Sequence, residues 1–115
     1  MASKQARAHE FSSKTRKNIY ERDHGQCIFC MMHYAPDPSG NYLASQIKGV
    51  MHYIPRSKGG LGIEQNGAIG CEYHHHRMDN GNKGDREVML ELFKQYLKSH
   101  YAGWNEENLV YKKGV

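Results

Sequence analysis

Cys27, Cys30, His52, Asn66, Cys71, His74, His75 and Asp79 follow one another along the chain, and most are residue types from which metal centres are made. Cys-x2-Cys followed by Cys-x2-His offers three thiolates and one imidazole, the donor set of closed tetrahedral zinc. Within each pair the spacing lets a single turn aim both side chains at one ion. One ion would then tie the Cys27–Cys30 segment to the segment around Cys71, and structural zinc of this kind contributes folding free energy directly. Among His74, His75 and His76, the Cys-x2-His spacing selects His74 as fourth ligand. The bland alternative for the cysteines is small buried apolar side chains; the paired spacing favours metal.

A second set of residues can do chemistry. His75 and Asp79 stand at i and i+4, so on a helix their nitrogen and carboxylate share one face and suit a divalent cation. His74 and His75 differ by about 100° around a helix axis and can serve two different ions. Taken alone, such a pair is more often a solvated helix face. His52 changes the balance, because it lies in Met51-His52-Tyr53-Ile54-Pro55, just ahead of an Arg-Ser-Lys-Gly-Gly turn. A neutral imidazole held beside a cation can deprotonate water. Asn66 is expected to order the intervening loop, its amide pinning either the excursion or the backbone around His52. A lone strand histidine is usually a core residue and a lone Asn a turn residue; the combination carries the reading.

The elements that must position these groups can be read along the chain. Residues 1–11 are polar and without apolar period, so a mobile arm is expected. A helix from about Ser13 to Arg22, capped by Ser12 or Ser13, would turn Ile19 and Tyr20 inward. Asp23-His24-Gly25 then turns the chain into a Cys27-Ile28-Phe29-Cys30 knuckle. Residues 31–42, with Pro36, Asp37, Pro38, Ser39 and Gly40, read as a loop. A strand over about Lys48 to Ile54 stops at Pro55, and residues 55–65 form a glycine-rich excursion. A second strand, about Gly67 to Cys71, leads into a helix from Glu72 that Asp79-Asn80-Gly81 ends. The last helix is capped by Asp85 and closed by Gly103. Its Met89, Leu92, Phe93, Tyr96 and Leu97 follow i, i+3, i+4, i+7, i+8 and are read as core packing. Trp104, Leu109, Val110 and Tyr111 are expected to fold back over that core.

The result is an α+β chain of 115 residues, close to the commonest size for one domain. Hydrophobic residues make up 38%, a thin core of the kind that needs a metal or disulfide staple. Three cysteines cannot form a self-contained disulfide set, and metal-ligating thiols imply a reducing compartment, the cytoplasm. No signal peptide or membrane span is expected. The net charge of +4 permits a polyanionic partner. Lys4, Arg7, Lys14, Arg16 and Lys17 cluster near the N-terminus, and Arg56 and Lys58 follow the histidine motif, where they can meet phosphates.

From about Lys14 to Asn80 the chain resembles an HNH endonuclease of the ββα-metal (His-Me finger) type, particularly the small stand-alone proteins of phages and prophages. The matching text is Arg22-Asp23, Cys27-x2-Cys30, His52-x2-Pro55-Arg56-Ser57-Lys58-Gly59-Gly60, Asn66 and Cys71-x2-His74-His75. The resemblance implies one domain over residues 1–115: the arm (1–11), a zinc knuckle with a ββα-metal core (12–83), and a C-terminal helix and tail (84–115). It implies His52 as general base, Asn66 as the central N, and His75 as the final H that binds the catalytic metal. Asp79 falls where many members carry a second helix histidine and is expected to be a second ligand. The implied cofactors are structural Zn²⁺ and a catalytic cation such as Mg²⁺, Mn²⁺ or Ni²⁺. The implied partner is DNA, with phage packaging or recombination proteins as further candidates, no membrane, and a monomer or homodimer in the host cytoplasm. Two departures stand out. Met51 occupies the position before the base, commonly Asp or His, and a thioether is a poor ligand for a hard cation. His74 replaces the usual fourth cysteine, which preserves zinc binding but makes it more acid-sensitive.

The reaction expected is phosphodiester hydrolysis in DNA, with Arg56, Lys58, Lys14, Arg16 and Lys17 neutralising flanking phosphates. The rivals are a zinc-stapled nucleic-acid-binding module with lost or weak catalysis, which Met51 favours, and an RNase or branched-DNA nuclease using the same residues. A purely structural zinc protein is a third, against which the placement of His52 and His75 argues.

Overall fold

The computed structural model describes residues 8–37, 46–80 and 85–112. Helix α1 (Ser13–Arg22) begins where the Ser12 side chain accepts a hydrogen bond from the Thr15 amide at 3.1 Å, which satisfies one of the helix's free N-terminal donors. His24 and Gly25, with φ of +55° and +67°, reverse the chain after it. The expected knuckle closes as a single helical turn, α2 (Ile28–Met31), with Cys27 as its N-cap.

Strands β1 (Lys48–His52) and β2 (Gly67–Cys71) pair antiparallel, from Lys48 opposite Cys71 to His52 opposite Gly67. Helix α3 (Glu72–Asp79) follows β2 directly, and α4 (Asp85–His100) packs against α3. The expectation of an α+β chain holds: a small two-stranded sheet among helices. Among the described residues no helix is long and apolar enough to cross a membrane.

Strand alternation divides the interior in two. Met51 and Ala68 join Cys27, Phe29, Cys71, Met78 and the α4 stripe of Met89, Phe93 and Leu97, while Ile69 packs with Phe11 and Ile19, and Val50 leans on that second cluster. A buried pair links the two sides. Arg22 donates to both oxygens of Asp23, to the carbonyls of Glu64 and Gly67 and to the Tyr101 hydroxyl. Asp23, fully buried, also accepts from the Ile69 amide and the Tyr96 hydroxyl. Removing one member of so buried a pair strands the other charge at a cost of about 3–5 kcal/mol.

Four expectations need correction. Tyr20 does not face inward but is 38% exposed; the narrow contact of α1 with β2 is filled by Ile19. β1 stops at His52 rather than Ile54, because the Tyr53 and Ile54 amides turn to the backbone and side-chain oxygens of Asn66. Asp85 is the first residue of α4, and the Tyr34 hydroxyl and Arg77 engage its carboxylate. Finally, residues 8–11 are not a loose arm: His9 and Phe11 are 7% and 6% exposed. A Cβ on Gly67 would sit 2.6 Å from the Phe11 ring, so glycine opposite His52 is what lets that ring in. Lys4, Arg7, Pro38 to Gly40 and Gly81 lie outside the described residues.

The glycine-rich excursion is held from both ends of the chain. Leu61 and Tyr111 donate to the carbonyls of Leu109 and Gly59, Val110 bridges Gly60, and Gly62 donates to Ala8. Of the C-terminal residues expected to fold back over the α4 core, only Trp104 packs against it, its indole donating to the Gln65 carbonyl at 2.7 Å; Leu109, which is buried, Val110 and Tyr111 cover the excursion instead.

Candidate functional site

Cys27, Cys30, Cys71 and His74 converge, their four ligand atoms all within 4.8 Å of one another. Each has a local reason to be there. α2 presents Cys30 one turn after Cys27, and Cys71 caps α3 by accepting from the His74 amide at 3.5 Å. Zn–S and Zn–N bonds of about 2.3 and 2.0 Å imply tetrahedral edges of roughly 3.8 Å between sulfurs and 3.5 Å between sulfur and nitrogen. The Cys30–Cys71 sulfurs are 3.8 Å apart, and His74 Nδ1 lies 3.7, 3.6 and 3.2 Å from Cys27, Cys30 and Cys71. His74 Nε2 faces the Tyr34 carbonyl at 2.7 Å. A carbonyl only accepts, so Nε2 carries the proton and Nδ1 turns its lone pair to the sulfurs, as a metal ligand must. Burial, with the neighbouring Cys27 and Cys71 sulfurs, pushes the Cys30 thiol up to about 12. The cluster can hold a structural metal such as zinc.

The second group lies on the neighbouring, exposed face of α3. His75 Nε2 and Asp79 Oδ2 are 3.3 Å apart and about half exposed. His52, Arg56, Ser57, His75 and Asp79 line one open cleft of about 250 Å³. His52 ends β1, and its Nε2 lies 2.8 Å from the His9 carbonyl. By the same donor argument Nε2 is protonated and Nδ1 is left as the basic atom. Burial first, and then the positive charges of Arg56 and Arg16, hold the His52 pKa below its ordinary 6.5, against the opposing hydrogen bond to His9.

Asn66 is buried behind this cleft and does not line it. Its Oδ1 accepts from the Ile54 amide at 2.8 Å, and its Nδ2 donates to the carbonyls of Ile54 and Leu61 at 3.2 and 2.8 Å. Every polar atom of the side chain is used, closing the excursion onto the end of β1. Met51, beside His52 in sequence, faces the other way and is 1% exposed, with its thioether over Gly70. It forms an apolar part of the cleft wall together with Met78.

Of the basic residues, Arg16 and Arg56 bear on His52. Lys14, Lys17 and Lys58 are exposed on α1 and on the Arg56–Lys58 turn. Arg86 was not foreseen: it donates to the Met78 carbonyl at 2.8 Å and stands 3.8 Å from Asp79 Oδ1 inside the cleft. No spacing rule finds it, because the contact joins the end of α3 to the start of the next helix. His9 and Phe11 were also missed. Phe11 packs on the His52 ring at a centroid distance of 4.2 Å.

Comparison with protein-family models and with curated proteins finds no match for this chain.

Proposed function

We propose that this chain is a metal-dependent endonuclease of the HNH, ββα-metal type that hydrolyses phosphodiester bonds in DNA, one strand at a time. One observation carries the reading: a base, two donors suited to a hard cation and a phosphate-pairing guanidinium, namely His52, His75, Asp79 and Arg56, share one cleft. The succession of β1, β2 and α3, stapled by the Cys3His cluster, supports it as the ββα unit that such a site needs.

His52 Nδ1 takes a proton from water, which attacks phosphorus in line as the bond to the 3′ oxygen breaks. His75 and Asp79 would hold a divalent cation, which when bound would supply Lewis-acid stabilisation of developing negative charge. Asn66 keeps the excursion closed, so that Arg56 stays at the cleft. Arg56 and Arg16 neutralise the phosphates nearest His52. Lys14, Lys17 and Lys58 extend that contact and fix position without reading bases. Conversion of supercoiled plasmid to open circles, dependent on added cation, tests the proposal. A second reading, a nucleic-acid-binding module without catalysis, is favoured by the apolar Met51 and by Arg86 beside Asp79; it expects binding without nicking.

The pH profile follows from the environment of His52. The base must be neutral, and burial with the nearby positive charges holds its pKa below the ordinary 6.5, so the acid limb of the rate should be centred below pH 6.5. Arg56→Gln removes a positive charge, raises that pKa and moves the acid limb to higher pH. A parent limb centred above 6.5 would contradict the assignment.

Met51→Asp tests the remaining wall of the cleft. A carboxylate there, among Met78 and other apolar groups, costs at least about 1–3 kcal/mol without a cation, so the metal-free variant should melt earlier. With cation present the loss should shrink, and the metal concentration for half-maximal nicking should fall below the parent's. Asp79→Ala should raise that concentration, and raise it less in the Met51→Asp background. Equal half-saturation for Met51→Asp and the parent would remove Met51 from the account.

A further inference from the structure

We propose that the segment Ala8–Phe11 is a positioning strap that holds His52 in its working orientation and tautomer. The inference rests on the nuclease reading above for its consequence, but not for its geometry. The strap is fastened at three points outside the histidine motif. Gly62 donates to the Ala8 carbonyl at 2.9 Å, His9 Nδ1 donates to the Gly60 carbonyl at 2.7 Å, and Phe11 fills the space beside Gly67. Its closeness is dictated by glycine: a Cβ on Gly62 would lie 2.2 Å from the Glu10 carbonyl oxygen. Between these fastenings the strap presents two groups to His52, the His9 carbonyl to Nε2 and the Phe11 ring to the imidazole face.

Without the strap the imidazole would lose both constraints. Free imidazole exchanges its proton between the two nitrogens and turns about its side-chain bonds. The His9 carbonyl selects the Nε2–H form, and Phe11 blocks rotation away from the cleft. A positioning role of this kind changes turnover rather than affinity, because the phosphate contacts are made by other residues. It also explains why a polar N-terminal stretch carries one buried histidine and one buried phenylalanine.

The test uses the full chain and the substitutions Phe11→Ala, His9→Leu and His9→Asn, the last keeping a donor for the Gly60 carbonyl. Bound zinc and cooperative melting establish that each variant is folded. Imidazole ¹⁵N spectra, with His52 assigned from the His52→Ala protein, report its tautomer, and plasmid nicking gives kcat and KM. In the parent, His52 should be a single Nε2–H tautomer. Phe11→Ala and His9→Leu should mix the tautomers and lower kcat about 10- to 100-fold with little change in KM, and His9→Asn should restore both. If His52 keeps its Nε2–H form in folded Phe11→Ala and His9→Leu, or if kcat is unchanged once the tautomer is mixed, the strap has no such role. If the parent itself does not nick, the nuclease reading fails, and the tautomer shift alone decides whether the strap positions His52.

Discussion

Removing the metal from the Cys27–Cys30–Cys71–His74 cluster is expected to unfold the chain rather than loosen one loop. The cluster joins α2, the end of β2 and the start of α3, and Cys27 and Cys71 sit inside the main apolar cluster beside Phe29 and Met51. Structural zinc in small domains contributes on the order of 10–16 kcal/mol, which matches or exceeds the whole stability of a typical domain, about 5–15 kcal/mol. Without the ion, nothing ties the three sulfurs together, and His74 loses the partner for its Nδ1. Cys27→Ser or Cys71→Ser should therefore give insoluble or molten protein, with near-ultraviolet dichroism lost and hydrophobic-dye binding gained. The parent should carry about one tightly held zinc per chain. A chelated sample that keeps the same cooperative melting transition would contradict this role.

His52→Ala should leave a folded, zinc-loaded protein that binds DNA nearly as well as the parent and no longer nicks it. Loss of a general base commonly lowers the rate by about 10²–10⁴-fold. Binding survives because Arg16, Arg56 and the exposed lysines remain. The fold survives because His52 is only half-buried and its contacts run to the strap, not to the zinc cluster. Wild-type nicking by the His52→Ala protein would end the assignment.

Much of the fold was legible because its boundaries are set by neighbours in sequence. Ser12 caps α1, Cys71 passes β2 straight into α3, and Gly103, with φ of +72°, follows the end of α4. The periodic stripe of α4 was read correctly for the same reason: Met89, Phe93 and Leu97 are buried. The metal cluster was legible because ligand type and pair spacing are also local. Features made by distant partners were hidden. β1 ends at His52 because the Ile54 amide turns to Asn66, 12 positions further along the chain, not because of Pro55. The strap escaped notice because one histidine and one phenylalanine in a polar stretch show no period; only the folded excursion gives them a surface. Arg86 reaches Asp79 from the next helix, and no pattern within either helix announces it. Asn66 was expected to pin either the excursion or the backbone around His52, and its amide binds both, while the tautomer of His52 is set by His9, which no pattern around His52 announces.

The central claim is that the His52 cleft cuts phosphodiester bonds when a divalent cation is present. Zinc-loaded protein incubated with supercoiled plasmid, in chelator and in a panel of Mg²⁺, Mn²⁺, Co²⁺, Ni²⁺ and Zn²⁺, tests this most directly. The account predicts open-circular product with at least one of these cations, none in chelator, and none from the His52→Ala protein under any condition. Retarded but uncut plasmid with every cation would contradict it and leave a zinc-stapled nucleic-acid-binding module in its place.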